Sequence, residues 1–527
     1  MMPMSGRRHI RSCVLAITAL TAAGLACGLR PARAQDEPAA RRPNVVVILA
    51  DDLGYADLSC YGGRDVSTPR MDSLATDGMR FTDAHSPSSV CSPSRYNLLT
   101  GRHSWRTYAN MSCFWLACNP MPIEPDRLTL AKLFKQHGYR TTCIGKWHLS
   151  FGDEQHPITD YTVPFKPGPL ETGFDSFFGF PHVFQTPHLY IRDHDVIDAR
   201  SGRPLRDIFR ERGQTPPPSG ITYRRDPNAL GSGRGWCDRA YDGRYAEFAY
   251  QHEDVAVRMT QEAVDFIDKA SPDEPFFLYF PHRNVHGPYK PHPRFKSTPR
   301  EYLNFLLELD WSVGEVLDAL ERKGVADDTV VILSSDNGGV ESRSNIPLRG
   351  RKTQSWEGGH RVPFIVKWPG RVRPGSVSGQ LVASTDLIAT FADFFGDTLP
   401  DHAAEDSFSF LPALVDAPSG ARPREFLVHD GWNERTWGMR RGKWVLLLPN
   451  ADPEVTREYR FRHEGLLESG ERIERPMLFD LEVDLAQTHD VAAEHPEIVA
   501  ELRGLLESIR KSSSRVVAAA AAPRRDP

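Results

Sequence analysis

Asn44-Val45-Val46-Val47-Ile48-Leu49-Ala50-Asp51-Asp52 is a continuous apolar run, rich in β-branched residues, that ends in two carboxylates. A strand with one wet face would alternate apolar and polar residues. A run that is apolar throughout predicts a strand covered on both faces, as in parallel sheets. Val330-Val331-Ile332-Leu333-Ser334-Ser335 repeats the design and ends in Asp336-Asn337-Gly338-Gly339. Ligands of open α/β sheets bind outside the carboxyl ends of the strands, so the two runs predict one site carrying Asp51, Asp52, Asp336 and Asn337. These are hard oxygen donors, suited to calcium or magnesium rather than to zinc.

Working outward, the segments around these strands alternate in kind. Leu128 to His137 and Asp254 to Lys269 read as helices, and Phe276-Phe277-Leu278-Tyr279-Phe280 as a strand. From Glu301 to Lys323, Tyr302, Phe305, Leu306, Leu309, Val313, Val316, Leu317 and Leu320 recur at helical spacing and are expected to face the core. The alternation predicts an α/β protein built on a large, doubly wound, mostly parallel sheet. The stretch from about Asp153 to Tyr250 breaks the rhythm with Pro216-Pro217-Pro218, Gly231-Ser232-Gly233 and many arginines, and is expected to be a functional or mobile insert. After about Asp397 the texture changes again. Trp437 to Leu448 and Met477 to Leu481 read as strands and Pro496 to Lys511 as a closing helix, which predicts a smaller C-terminal α+β domain. The expected division is a large domain over 42–396, a smaller one over 397–511, and a disordered, alanine-rich tail over 512–527.

A chain of 527 residues exceeds what one hydrophobic core usually serves, which agrees with two domains. The net charge of -5 is small, so neither a nucleic-acid partner nor stable membrane insertion is expected. At the start, Arg7-Arg8-His9-Ile10-Arg11 precedes an apolar run from Cys13 to Leu29 and then Ala32-Arg33-Ala34. That order predicts a signal peptide over 1–34, cleaved after Ala34, and a periplasmic or secreted protein. The arginine pair also hints at twin-arginine export. Six of the eight cysteines lie beyond that segment, and Cys113 and Cys118 are close enough for a small loop disulfide.

Cys91-Ser92-Pro93-Ser94-Arg95 carries the most specific chemistry. Ser92 suits an N-cap, Pro93 the first helical position, and Tyr96 to Thr100 carries the helix to a stop at Gly101. Cys91 is therefore expected just outside a helix N-terminus, where unpaired N–H groups and the helix dipole favour anions and lower a thiol pKa. Lys146 and His148 stand on alternate residues of Gly145-Lys146-Trp147-His148 and would face one side if that piece is extended. His282-Arg283-Asn284-Val285-His286 follows the Phe276 strand directly. Lys352 precedes Trp356-Glu357-Gly358-Gly359-His360-Arg361.

Taken together, these motifs resemble the sulfatase family from Arg42 to about Lys511, with the closest likeness to arylsulfatase A-like and N-acetylgalactosamine-6-sulfatase-like members. The Cys-x-Pro-Ser-Arg pattern is that family's signature, in which the cysteine is oxidised after synthesis to formylglycine. The resemblance implies an alkaline-phosphatase-like fold and a formylglycine-generating maturation enzyme as partner. It implies Ca2+ as cofactor, held by Asp51, Asp52, Asp336 and Asn337 with the modified Cys91 as a further ligand. By the same likeness Arg95 and His148 hold formylglycine, while Lys146, His286 and Lys352 grip the sulfate group and assist departure of the alcohol. His282 has no firm counterpart in that catalytic set. In the implied reaction one hydroxyl of hydrated formylglycine attacks sulfur, and the second lets the resulting ester collapse to inorganic sulfate and aldehyde.

Hydrolysis of a sulfate monoester on a carbohydrate is the expected activity. The alternatives are an arylsulfatase acting on small aryl sulfates, a phosphomonoester or phosphonate-ester hydrolase, and a non-catalytic binder of sulfated glycans whose Cys91 is never converted. A single divalent-cation site favours the monoanionic sulfate ester over a phosphomonoester. For substrate contacts, Trp105, Tyr108, Phe114 and Trp115 could wall a sugar ring. Arginines 203, 206, 210, 212, 224, 225, 234, 239 and 244 could meet a polyanion.

Overall fold

The computed structural model describes residues 42–107, 119–153, 155–182, 188–217, 221–225, 235–239, 243, 245–415, 424–432, 436–449 and 473–515. Outside them lie the expected signal peptide, Cys113 and Cys118, Tyr108, Phe114 and Trp115, arginines 234 and 244, and the alanine-rich run from Val516. No described helix is long and apolar enough to cross a membrane.

Asn44–Ala50 is the central strand the sequence predicts, and all seven of its residues are buried. It lies between two parallel neighbours, Thr329–Ser335 and Phe276–Pro281. Successive side chains of a strand point to opposite faces, so both faces must be covered. Val45, Val47 and Leu49 pack with Leu98, Phe134 and Phe391 on one side, while Val46, Ile48 and Ala50 pack with Ile267, Phe305 and Leu309 on the other. Each such buried aliphatic side chain contributes about 1.5–3 kcal/mol, so an all-apolar run of this kind is stable only inside such a sandwich.

Among the described residues the main sheet has ten strands. Their order is Ser376–Ser378, Met79–Phe81, Phe364–Lys367, Thr329–Ser335, Asn44–Ala50, Phe276–Pro281, Arg140–Lys146, Ser176–Phe180, Tyr190–Arg192 and Asp195–Ile197. The five from Thr329–Ser335 to Ser176–Phe180 run parallel. Phe364–Lys367 runs against them. Helices Val255–Lys269 and Glu301–Lys323 cover one face, and Cys91–Thr100, Leu130–Gln136 and Leu387–Phe395 cover the other. This is the doubly wound, alkaline-phosphatase-like α/β architecture that the sequence predicts. Of the eight residues expected on the inner face of Glu301–Lys323, seven are buried and Leu317 is partly buried. The helix stops at Gly324, whose φ of 72° is left-handed and suits glycine.

The stretch after Asp153 is less irregular than its composition suggests. It supplies three strands of the main sheet, Ser176–Phe180, Tyr190–Arg192 and Asp195–Ile197, and the helix Leu205–Arg212. These strands are only three to five residues long, too short for a periodic signal to stand out between turns.

Towards the C-terminus a second sheet forms. Phe426–Gly431, Thr436–Arg441, Trp444–Leu448 and Met477–Asp480 pair antiparallel in that order, and Pro496–Lys511 lies across one face through Leu502, Leu506 and Ile509. The opposite face receives Trp356 from the main body against Val445, Leu447 and Phe479. Beyond the helix, the Arg515 N–H donates to the Asp401 carbonyl at 2.7 Å, so the chain stays attached at least that far.

Candidate active site

All the catalytic candidates but Lys352 leave the carboxyl end of a buried strand or the start of the helix facing it; Lys352 sits in a turn and its N–H donates to the Gly339 carbonyl at 3.0 Å. Ala50 pairs with Ser335 across the two central strands, so Asp51-Asp52 and Asp336-Asn337 emerge side by side. The ladder continues past the strand ends, with Asp336 N–H on the Ala50 carbonyl at 3.1 Å and Asp52 N–H on Asp336 Oδ1 at 3.1 Å. The chain after Asn337 can turn away because residue 338 is glycine; a Cβ there would sit 1.9 Å from the Gly358 carbonyl oxygen.

Helix Cys91–Thr100 begins two residues earlier than expected. Val90 is the N-cap and Cys91 the first helical residue; Ser92 does not cap. The reason lies three residues on, where the Ser94 N–H and hydroxyl both donate to the Val90 carbonyl, at 3.3 and 2.8 Å, and so draw it into the helix. The stop at Gly101 is as predicted. Starting at Cys91 puts Arg95 one turn below it on the same face. Arg95 donates to Asp336 Oδ2 from Nε at 3.0 Å and Nη2 at 2.7 Å, and from Nη1 to the Lys146 carbonyl at 3.0 Å.

The remaining cations meet the remaining carboxylates. Lys146 Nζ donates to Asp51 Oδ2 at 2.6 Å, and Lys352 Nζ lies 2.6 Å from Asp52 Oδ1. His286 Nε2 is 3.8 Å from Asp52 Oδ2, and Asn337 Nδ2 donates to Asp52 Oδ1 at 2.8 Å. Burial alone would raise the Asp51 pKa, yet Lys146, His286 and Arg95 together hold it well below the usual carboxylate range. Burial and the Asp51 carboxylate raise Asp336, against the Arg95 guanidinium that grips its Oδ2 as counter-charge. Burial would likewise lower the Lys352 ammonium, and the carboxylates around it, Asp52 foremost, hold it protonated instead. His148 is not extended, with φ of 56°, but it still reaches Cys91; burial brings its pKa down to about 4.

The donor set fits a hard divalent cation. Asp51 Oδ1, 3.6 Å from Arg95 Nη2, and Asn337 Oδ1 are buried and have no hydrogen-bond partner among the described residues, and ligand atoms of Asp51, Cys91 and Asp336 all lie within 4.8 Å of one another. Unpartnered buried oxygens are costly unless something binds them. Three carboxylates here face three cations, so a divalent ion would leave the pocket net positive and ready for an anion.

The sequence model of the family described as Sulfatase matches residues 43–397. The chain belongs to the sulfatase family. An N-acetylgalactosamine-6-O-sulfatase of Bacteroides thetaiotaomicron is 33% identical over 89% of this chain and 93% of its own length, and human arylsulfatase A is 31% identical over 88% and 87%. A solved B. thetaiotaomicron structure, described under metabolism of multiple glycosaminoglycans, superposes with a TM-score of 0.73 at 31% identity, covering 89% of this chain and all of that one. A crystal structure holding k-i-k-neocarrahexaose does so with 0.62 at 25% identity, over 89% and 92%. The chain is thus a sulfuric ester hydrolase.

The sulfatase pocket also contains residues that sequence reasoning missed. His182, buried after strand Ser176–Phe180, lies with its ring centroid 4.1 Å from that of His148 and 6.0 Å from that of His286. Its one signal in the sequence is a histidine two residues beyond Phe177-Phe178-Gly179-Phe180, inside a stretch read as irregular. Trp432 comes from the second sheet and packs on Val90 and Cys91. Nothing local marks it. Conversely, Trp105 does not wall the pocket: it stacks on His103 and meets Trp437 edge-on, within the core of the second sheet. Several insert arginines are already paired, Arg203 with Glu211, Arg206 with Asp195, Arg210 with Asp207 and Arg212 with Glu247, which argues against a free polyanion surface there.

Proposed function

We propose that this sulfatase removes sulfate from a sulfated carbohydrate, with residue 91 acting as formylglycine and a calcium ion held by Asp51, Asp52, Asp336, Asn337 and residue 91. The observation that carries the reading is the convergence of Asp51, Asp336 and Cys91 among the cations Lys146, Lys352 and Arg95, with Oδ1 of both Asp51 and Asn337 lacking a hydrogen bond among the described residues. The unmodified thiol of Cys91 stands in the structure for the aldehyde. Calcium would supply positive charge against the sulfate oxygens, and hydrated formylglycine the attacking hydroxyl.

The chain's own residues do the rest. A sulfate monoester loses an alkoxide, and charge builds on the bridging oxygen as it leaves. Lys146 and Lys352 present ammonium groups fixed by buried carboxylates, so they need no reorganisation as that charge appears. Arg95, locked on Asp336 and the Lys146 carbonyl, holds the floor of the site. Lys146→Ala and Lys352→Ala are each expected to lower turnover about a hundredfold or more, the usual consequence of deleting one preorganised contact. Steady-state kinetics of the folded variants check this, and near-normal rates would remove both from the chemistry.

His286 or Lys352 gives the proton to the departing alcohol. Burial and the Lys352 ammonium lower the His286 pKa, and an arriving sulfate anion would raise it again. An activated aryl sulfate needs little protonation of its leaving oxygen, whereas a sugar alcohol needs much. His286→Ala is therefore expected to slow the sugar substrate more than the aryl one. Equal losses on both would leave His286 as a sulfate ligand and assign the proton to Lys352.

Support for a carbohydrate comes from the N-acetylgalactosamine-6-O-sulfatase relative and from the neocarrahexaose complex of similar fold. Free-sulfate release from a panel of defined sulfated sugars, N-acetylgalactosamine 6-sulfate first, set beside a small aryl sulfate, tests the reading. A higher kcat/KM on one of the sugars is expected; turnover of the aryl ester alone would make the protein an arylsulfatase.

A further inference from the structure

A second convergence of ligand-type side chains lies outside the pocket, beneath the second sheet. His85 comes from the short strand Ala84–His85, Glu357 and His360 from the helix Glu357–His360, and His429 from strand Phe426–Gly431. All four are at most 1% exposed. Ligand atoms of His85, Glu357 and His360 lie within 4.8 Å of one another, with the two Nδ1 atoms 3.0 Å apart and His360 Nε2 4.0 Å from Glu357 Oε1. The His429 ring stacks on His360 at 3.8 Å between centroids.

Four atoms of this cluster, Glu357 Oε1, His360 Nε2 and both ring nitrogens of His429, are buried with no hydrogen-bond partner among the described residues. The other sides of the cluster are tied down. His85 Nε2 meets Asp83 Oδ1 at 2.9 Å, and Asp83 is gripped by Arg440 at 2.6 and 2.7 Å. Arg440 Nη1 also lies 3.2 Å from His85 Nε2, but its shorter contact is to Asp83. Glu357 Oε2 takes the Arg361 guanidinium at 3.1 Å. A carboxylate on the far nitrogen of an imidazole directs its near nitrogen inward and strengthens it as a ligand. The Glu-x-x-His spacing places an oxygen and a nitrogen on one side of a single helical turn.

We propose that His85, Glu357 and His360, beneath the stacked His429 ring, bind a transition-metal ion of the zinc type. Imidazole nitrogens with one carboxylate suit zinc, unlike the all-oxygen set of the active site. The ion would be structural, because the cluster joins the second sheet to the back wall of the pocket. The Ser86 N–H donates to the His360 carbonyl at 2.8 Å, the Ser86 hydroxyl to the Asp336 carbonyl at 2.6 Å, and the Gly338 N–H to the Gly359 carbonyl at 2.9 Å.

The test is titration of the purified full chain with Zn2+ and with Co2+ in excess calcium, which keeps the oxygen site filled. About one equivalent per chain, with the strong visible bands of tetrahedral nitrogen-ligated cobalt, is expected. His360→Gln and His85→Gln should lose that equivalent and those bands while retaining calcium. Wild-type protein that binds neither ion, or shows only weak octahedral bands that persist in both variants, overturns the proposal and leaves the cluster to buried water. Should the variants fail to fold, the wild-type titration decides by itself.

Discussion

Cys91→Ser, made in a host that converts only cysteine, is expected to fold normally and to release no sulfate above background. The substitution is nearly isosteric, and residue 91 is buried in contact with Val90 and Trp432 at the first turn of a helix whose start is held by Ser94 rather than by its own side chain. Stability should therefore be retained, which melting curves can verify. Activity fails for a chemical reason: serine offers one hydroxyl, whereas the proposed reaction needs two on the same carbon. Mass spectrometry of the peptide containing residue 91 supplies the companion observation, a mass loss in the active wild type and none in the variant. Wild-type turnover by Cys91→Ser would end the formylglycine reading, and a wild-type protein carrying only thiol would revive the non-catalytic binder.

Removing one negative charge from the oxygen cluster should be as severe. Asp51→Asn is expected to lose calcium and to lose turnover by at least about a hundredfold, because a divalent ion needs both the ligand oxygen and the charge. Asp51 is the better target because Asp336 has a second duty. Asp336 Oδ2 is the nearest buried counter-charge of Arg95, and stripping it away would leave the interior guanidinium only Asp51 Oδ1, 3.6 Å away, at a cost of up to about 3–5 kcal/mol. Asp336→Ala should thus lose metal, activity and folding stability together, while Asp51→Asn, which keeps the volume and a hydrogen-bond acceptor for Lys146, should lose mainly the first two. Calcium content per chain and turnover, measured on the same preparation, check the prediction. Calcium retained in Asp51→Asn, or full wild-type activity after thorough chelation, would contradict it.

The contrast between Cys91 and Trp432 illustrates what could be read in advance. Cys91 announces itself through its immediate neighbours, since Pro93, Ser94 and Arg95 specify a helix start and a cation one turn away. Even there the helix starts two residues before the start expected from a Ser92 cap: Val90 takes the N-cap position with no side-chain cap, and its carbonyl accepts from both the N–H and the hydroxyl of Ser94. Trp432 lies more than three hundred positions along the chain, just after strand Phe426–Gly431, whose apolar residues say that it is buried but not against what.

Sequence by itself determined the strands that cross the core and the acids that end them, the long helix packed on them, the closing helix Pro496–Lys511 and the family signature. Each of these is a local pattern, a run or a period of residues, whose physical cause acts within a few positions. Tertiary structure alone decided that Asn44–Ala50 and Thr329–Ser335 are direct neighbours, although nearly three hundred residues separate them, and so which atoms meet within the one site that the two matched runs predict. It also turned Trp105 toward the second sheet, brought His182 into the pocket, paired the insert arginines with nearby carboxylates and gathered His85, Glu357, His360 and His429 into one buried cluster. Strand order and side-chain pairing are set by complementary burial between distant segments, and that complementarity leaves no period in either segment to read.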